Sequence, residues 1–360
     1  MLEHGGRLQV AAREFGIPVE SWLDLSTGIS PHSWAVERAF DIPAQSWSRL
    51  PEDEDGLAEA AQDYYGAAAL PVAGSQAAIQ ALPSLRAPCR VAVLAPTYAE
   101  HERAWRSSGH TVGTVTLGEL EARIDNFDVL VVVNPNNPDG RYIEPSRLLD
   151  WHAQLSARGG WLIVDEAFVD ATPERSVVCP NMPEGLIVLR SLGKFFGLAG
   201  ARVGFALTAL PLRTALAEAL GPWTLSGPSR AVAHAALRDR PWQQVQRQRL
   251  GRDSVRLRDL LGNYGLVAAG GTALFQWVPT GVRMQSRWPW GVQEYWCGGL
   301  KGLACGLGCR GLMLTGAVLV WRWRACGGRW LERFSNHWTC LLYTSPSPRD
   351  RTRSRMPSSA

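Results

Sequence analysis

The sequence predicts an α/β fold in three layers, a mostly parallel sheet between two helical layers, with a smaller C-terminal domain that is truncated or scrambled. Three observations predict it. Five short apolar runs recur between residues 91 and 207, unbroken by polar alternation, as strands buried on both faces are. Most intervals between them hold a segment of helical spacing or a turn, the rhythm of strand–helix–strand units. A chain of 360 residues is long enough for one large domain and a lesser one.

In chain order the strands are VAVLA (91–95), DVLVVV (128–133), WLIVD (161–165), LIVLR (186–190) and VGFAL (203–207). Helices are expected over 99–109 and over 145–159, where Leu148, Leu149, His152 and Leu155 are spaced three or four residues or one turn apart. After Pro211 the pattern turns helical over 211–221, 228–238 and 241–264, and TALFQWV (272–278) reads as a strand opening the smaller domain. The expected divisions are an N-terminal gate segment (1–35), a large domain (36–245), the start of a small domain (246–281) and an aberrant tail (282–360).

The tail differs chemically from the body. Residues 1–281 carry 25 Lys and Arg against 30 Asp and Glu, whereas residues 282–360 carry 12 against 3. Five of the seven cysteines (Cys297, Cys305, Cys309, Cys326 and Cys340) and seven of the sixteen tryptophans also lie in the tail. It lacks helical or strand periodicity and ends in a Ser/Pro/Arg-rich stretch, so it reads as coding sequence translated out of frame and as disordered. Its Cys and His spacings match no zinc-finger pattern, and no metal is expected. The acidic body argues against nucleic acid as a partner. No apolar run in the body approaches the ~20 residues needed to cross a bilayer, and the N-terminus has no apolar leader, so a cytoplasmic enzyme without membrane contact is expected.

Lysine occurs only at positions 194 and 301, in a chain otherwise rich in arginine. A guanidinium cannot lose a proton and form an imine, so a lysine kept in such a body points to amine chemistry. Lys194 stands in SLGKFFGLAGAR (191–202), just beyond a strand's carboxyl end, where open α/β sheets build their sites. Ser191 and Arg202 flank it with groups suited to a phosphate ester. Asp165 closes the run WLIVD, a costly place for a carboxylate without a cationic or hydrogen-bonding partner. In NPNNPDG (134–140), X-Pro steps and a glycine make a loop that can present the Asn137 amide. AGSQAAIQAL (73–82) leads from small residues into a helix, where Ser75 is either a phosphate contact or an ordinary helix cap. Tyr98, in APTYAEH, can cover a flat ring or pack in the core.

Taken in order, G-S-Q, P-T-Y, N-P-N-N-P-x-G, V-D-E-A and S-L-x-K-x-x-G-L-A-G-x-R-x-G resemble the fold-type-I pyridoxal-phosphate (PLP) enzymes of the class I/II aminotransferase superfamily, over residues 1 to about 280. The resemblance implies the aspartate-aminotransferase-like fold, with Lys194 carrying the cofactor covalently and Asp165 paired with the pyridine nitrogen. By the same likeness Asn137 contacts the ring oxygen, Tyr98 lies against the ring, and Ser75, Gln76, Ser191 and Arg202 hold the phosphate.

HGGRLQVAAREFGIP with WLDLSTGISP (22–31) resembles the opening of the threonine-phosphate decarboxylase branch of cobalamin biosynthesis, close to the histidinol-phosphate aminotransferases. That branch implies His4 and Gly28 beside the substrate, a small phosphorylated amino acid, and a homodimer in the intact parent. The implied reaction converts L-threonine O-phosphate to 1-aminopropan-2-ol O-phosphate. Two other functions stay open: an aminotransferase of the histidinol-phosphate type, and an inactive remnant whose altered C-terminus no longer holds substrate. Departures from the family pattern are Phe168 where relatives often carry Tyr, Leu50 at the position of a phenol, and no recognisable arginine for the substrate carboxylate, Arg283 and Arg287 having no supporting context.

Overall fold

Valine, leucine and isoleucine crowd the central strands because both faces of the sheet are covered. A computed structural model describes residues 4–278, apart from 17 and 264, together with 311–314 and 317–319. The main sheet contains β2 (Ala69–Val72), β3 (Arg90–Leu94), β4 (Thr111–Val115), β5 (Val129–Val133), β6 (Trp161–Asp165), β7 (Leu186–Ser191) and β8 (Gly204–Leu207), following the short N-terminal β1 (Trp22–Asp24). Its strand order is β2-β8-β7-β6-β5-β3-β4, with β8 antiparallel to both neighbours and every other pairing parallel.

Alternate residues along each central strand enter two separate cores. Leu130 and Val132 of β5, Leu162 and Val164 of β6, and Leu186 and Val188 of β7 belong to one cluster. Val129, Val131, Ile163, Ile187 and Leu189 belong to the other. The period-two alternation of a strand therefore divides the apolar runs between two helical layers. The first layer contains α4 (Leu57–Tyr65), α8 (Pro145–Ser156) and α10 (Gly227–Arg238); the second contains α5 (Ser75–Ala81), α6 (Ala99–Ser107) and α9 (Leu210–Leu220). Pro145 starts α8 at the one position where a missing N–H costs nothing. Thr116 and Glu119 close a reciprocal capping box on α7 (Leu117–Arg123).

Two strands of the main sheet escape the sequence reading for physical reasons. β2 is only four residues, ALPV, at one edge of the sheet, and β4 (TVGTV) is an edge strand with a glycine at its centre. The last expected strand is a hairpin: β9 (Gly270–Thr272) turns into β10 (Phe275–Trp277). The division expected at 245/246 falls inside one continuous helix, α11 (Arg240–Asn263). The hairpin is held to that helix by Gln276, whose side-chain amide donates to Ser254 Oγ at 2.8 Å.

In the tail, where no regular structure is expected from periodicity, β11 (Gly311–Leu314) pairs parallel to β1 and antiparallel to β12 (Ala317–Leu319). These strands fall in the tail's apolar stretch, GLMLTGAVLVW. Arg283, Arg287, Lys301 and the tail cysteines lie outside the described residues. Among the described residues no helix is long and apolar enough to cross a membrane, and no His/Cys/Asp/Glu group is arranged to hold a metal.

Chain order reverses direction across the sheet between β3 and β5, since β4 lies on one side of β3 and β5 on the other. Ligands of open parallel sheets occupy the crevice outside the strand ends at such a point. Tyr98 follows β3, Asn137 follows β5 and Asp165 ends β6, so topology alone gathers three of the expected site residues at this crevice.

Candidate active site

Asp165 and Glu166 are neighbours in sequence with different fates. Asp165 Oδ2 lies 2.9 Å from His101 Nε2, both groups buried, and Oδ1 accepts the Ala167 amide at 3.1 Å. Glu166 is fully buried and accepts from Ser176 Oγ at 2.6 Å, from the Val177 amide at 2.8 Å and from Arg190 at 3.1 Å. Arg190 also pairs with the buried Asp170. Asp165 thus serves the strand-end crevice, while Glu166 belongs to an internal ionic network.

Sequence reasoning missed His101 as a partner of Asp165. The segment 99–109 reads as an ordinary amphipathic helix, yet Glu100 and His101 are both buried on α6. The available signal was the spacing: His101 stands three residues after Tyr98, one turn along the same face, and the two rings meet edge-on at 6.1 Å.

Lys194 sits in the loop after β7. It keeps some exposed surface at the floor of the crevice, but protein encloses its amine closely enough to desolvate it. That desolvation lowers its pKa from the ordinary 10.5; the Asp165 carboxylate opposes the shift and the Arg202 guanidinium adds to it. The Nζ atom lies 5.2 Å from the centre of the Phe168 ring, which stacks edge-on against Phe275. Phe168 therefore gives the amine an apolar, polarisable neighbour where relatives often carry a hydroxyl. Among the described residues no carboxylate forms a salt bridge with Lys194.

The three asparagines of the 134–140 loop separate cleanly. Asn134 exchanges two hydrogen bonds with the Ile143 backbone, at 3.0 and 2.8 Å. Asn136 donates to the Pro96 carbonyl and to Asp139, and accepts from Thr97 Oγ1 at 2.7 Å. Both brace the loop. Asn137 is half-buried, and its side chain makes no hydrogen bond among the described residues, which leaves it the one amide available to a ligand.

Opposite them, the turn before α5 is built for close approach. A Cβ on Gly74 would stand 2.7 Å from the Arg202 guanidinium, and one on Gly204 would stand 2.4 Å from the Ser75 amide nitrogen. Among the described residues the exposed Arg202 guanidinium has one weak partner, the Ala199 carbonyl at 3.4 Å. Ser191 Oγ accepts from the Gly193 amide at 3.3 Å. The Gln76 side chain is already engaged: its Oε1 accepts from Tyr98 Oη and its Nε2 donates to Glu100, each at 3.2 Å. What Gln76 can offer an anion is its backbone amide in the first turn of α5, not its side chain.

The N-terminal segment covers this floor. The Ser30 amide donates to the Lys194 carbonyl at 3.0 Å and the Trp34 amide to the Phe196 carbonyl at 2.9 Å. Gly28 is buried within this stretch. The Gly6 amide donates to Ser26 Oγ at 2.8 Å, and His4 Nε2 lies 2.9 Å from Glu100 Oε1.

Comparison with known proteins gives the family and the fold. The family model for "Aminotransferase class I and II" matches residues 48–285, about two thirds of the chain. The chain belongs to the class I and II aminotransferase family. It is 60% identical over 278 residues to a threonine-phosphate decarboxylase from Pseudomonas aeruginosa, covering 77% of this chain and 83% of that one. A threonine-phosphate decarboxylase from a Sinorhizobium species is 40% identical over 296 residues, covering 79% and 86%. Among solved structures, a histidinol-phosphate aminotransferase from Clostridium acetobutylicum superposes with a TM-score of 0.61 at 21% identity, covering 68% of this chain and 78% of that one. That likeness bears on the fold, which is aspartate-aminotransferase-like.

Class I and II aminotransferases are PLP-dependent enzymes, and the residues here fit the cofactor. A desolvated primary amine, a buried carboxylate held by His101, an uncommitted asparagine amide and a glycine turn facing a guanidinium supply its four requirements. The fit rests on the chemistry of these groups and on their gathering at one crevice.

Proposed function

We propose that the protein decarboxylates L-threonine O-phosphate to 1-aminopropan-2-ol O-phosphate, a step of cobalamin biosynthesis, and that the intact parent works as a cytoplasmic homodimer. The observation that carries this reading is the 60% identity to a relative of that name, over 278 residues that include the lysine, aspartate and asparagine elements of the site. Bound PLP supplies an electron sink for the bond broken at the substrate's Cα.

The chain's own residues have definite tasks. Arg202, Ser75, Ser191 and the first amides of α5 would bind the cofactor phosphate, and Asn137 its ring oxygen. Asp165, oriented by His101, would hold the proton on the pyridine nitrogen. Lys194, whose pKa is lowered by burial, can take up and deliver a proton at Cα near neutrality more readily than an exposed lysine. The N-terminal segment, hydrogen-bonded to the lysine loop, would exclude water from the reacting centre. His4 and Gly28 lie on that segment and would face the substrate.

An aminotransferase would use the same groups and break the Cα–H bond. Purified protein loaded with PLP, supplied with L-threonine O-phosphate, should release CO2; amino transfer from histidinol phosphate to 2-oxoglutarate without CO2 release would replace this reading with the other. The exposed Trp47, Leu50 and Trp223 support a covered face in the parent, and Leu50 stands where the family pattern places a phenol reaching a neighbouring subunit. We read residues 282–360 as out of frame; resequencing across codon 282 tests that, since a single-base correction should restore strand and helix periodicity and a carboxylate-binding arginine.

A further inference from the structure

Glu100 is an acid without an obvious reason to be where it is. Its side chain is 6% exposed, in the first turn of α6, yet among the described residues no buried arginine or lysine answers its charge. Oε1 meets His4 Nε2 at 2.9 Å and Arg103 more distantly at 3.4 Å; Oε2 accepts from the neutral Gln76 amide at 3.2 Å. Gln76 is adjacent to Ser75 in the turn that faces Arg202, so the carboxylate stands next to the part of the site adapted to anions. A bare carboxylate there would repel a phosphorylated ligand. The histidine is what reconciles the two.

The sequence delivers that histidine with unusual backbone control. A Cβ on Gly5 would stand 2.0 Å from the Ser26 carbonyl oxygen, so only glycine lets the strand end and the N-terminus touch. Gly6 has φ +78 and donates its amide to Ser26 Oγ, which in turn donates to Asp24. The Gly-Gly pair therefore turns the chain and lays His4 on Glu100. With its Nε2–H given to the carboxylate, the ring can meet an anion only through Nδ1, and must carry its second proton to donate there. The His4 side chain is 46% exposed, so Glu100 does not bury the ring.

We propose that Glu100 is a positioning residue for the substrate's phosphate ester: it aims His4 and supplies the countercharge for the imidazolium that binds the ester. This rests on the reading that the substrate is a phosphorylated amino acid. Gln76 links the arrangement to the cofactor turn without itself contacting the ester.

The test is a double-mutant cycle on the PLP-loaded enzyme with His4→Ala, Glu100→Gln and both, measuring KM and kcat for L-threonine O-phosphate. Each single change should raise KM about tenfold, as loss of one charge-assisted contact does, and the double variant should be little worse than either single. Throughout, kcat should stay within about twofold and the cofactor's visible absorption should be unchanged, because only uniform substrate binding is lost. Gly5→Ala, which dislodges His4 without touching α6, should reproduce the His4→Ala result. An unchanged KM in Glu100→Gln or Gly5→Ala, a Glu100→Gln effect that persists in full without His4, or loss of the cofactor band in Glu100→Gln would each overturn the assignment. If the wild-type enzyme does not release CO2 from this ester, the functional reading fails separately, and the same cycle is read as the calorimetric Kd of L-threonine O-phosphate.

Discussion

Two clusters of charge lie on either side of the end of β6. One, around Arg190, Glu166 and Asp170, is buried and paired internally: Arg190 pairs with both acids, Glu166 takes three donors, and Tyr64 and Arg247 meet Asp170 through its carboxylate and carbonyl, while Asp170 Oδ2 and Arg190 Nε have no hydrogen-bond partner among the described residues. In the other, around Lys194, Asp165, Asn137 and Arg202, Asp165 is held by His101 and the Ala167 amide, whereas the amine, the asparagine amide and the guanidinium have little or no hydrogen bonding among the described residues. Consecutive residues, Asp165 and Glu166, divide between them. Where opposite charges are buried together they hold the fold; where an amine, an amide and a guanidinium gather without such pairing they can receive a ligand.

The two clusters should therefore fail differently. The largest effect on activity is expected from Lys194→Ala, which should lower turnover about a thousandfold or more and abolish the cofactor's visible band, while leaving the melting temperature of the cofactor-free protein unchanged or higher. A lowered melting temperature would mean that the lysine belongs to the structural cluster instead. Arg190→Ala should do the reverse, costing roughly 3–5 kcal/mol in denaturant unfolding, because Glu166 and Asp170 are left charged and buried without their cation. Next in size, His101→Phe should reduce kcat about ten- to a hundredfold with little loss of stability, as removal of a group orienting a functional ligand does.

The smallest effect concerns pH. Lys194 has its pKa lowered in the folded protein, so the unfolded chain binds more protons than the native one between that lowered value and the ordinary 10.5. Stability of the cofactor-free protein should then rise with pH through this window, and Lys194→Met should remove that rise. A slope unaltered by the substitution would show the amine to be better solvated than its enclosure indicates.

The division between the clusters was only partly legible in the sequence. The central strands were, because burial on both faces imposes an uninterrupted apolar run that few other structures tolerate. Lys194 and Asp165 were legible as chemistry misplaced in composition, a rare lysine and an acid ending a core strand. Glu100 and His101 were not, since a polar residue on a helix ordinarily faces water, and only tertiary packing turns that face of α6 inward. Nor could the loop composition distinguish Asn137 from Asn134 and Asn136, which differ in partners, not in type. The helix that crosses the expected division at 245/246 was legible, since helical spacing runs unbroken over 241–264 and the structure has α11 there.

The loop that carries Asn137 ends at Gly140, where a Cβ would stand 2.3 Å from the nitrogen and oxygen of Gly271 in the β9–β10 hairpin. Side chains in collision can be relieved by trimming either partner, and evolution commonly does so in two steps. Here main chain meets main chain, and nothing remains to be trimmed. A side chain at Gly140 would therefore have to move the hairpin backbone itself, so this one contact ties the mutual position of loop and hairpin to a residue without a Cβ, although some 130 residues separate the two along the chain.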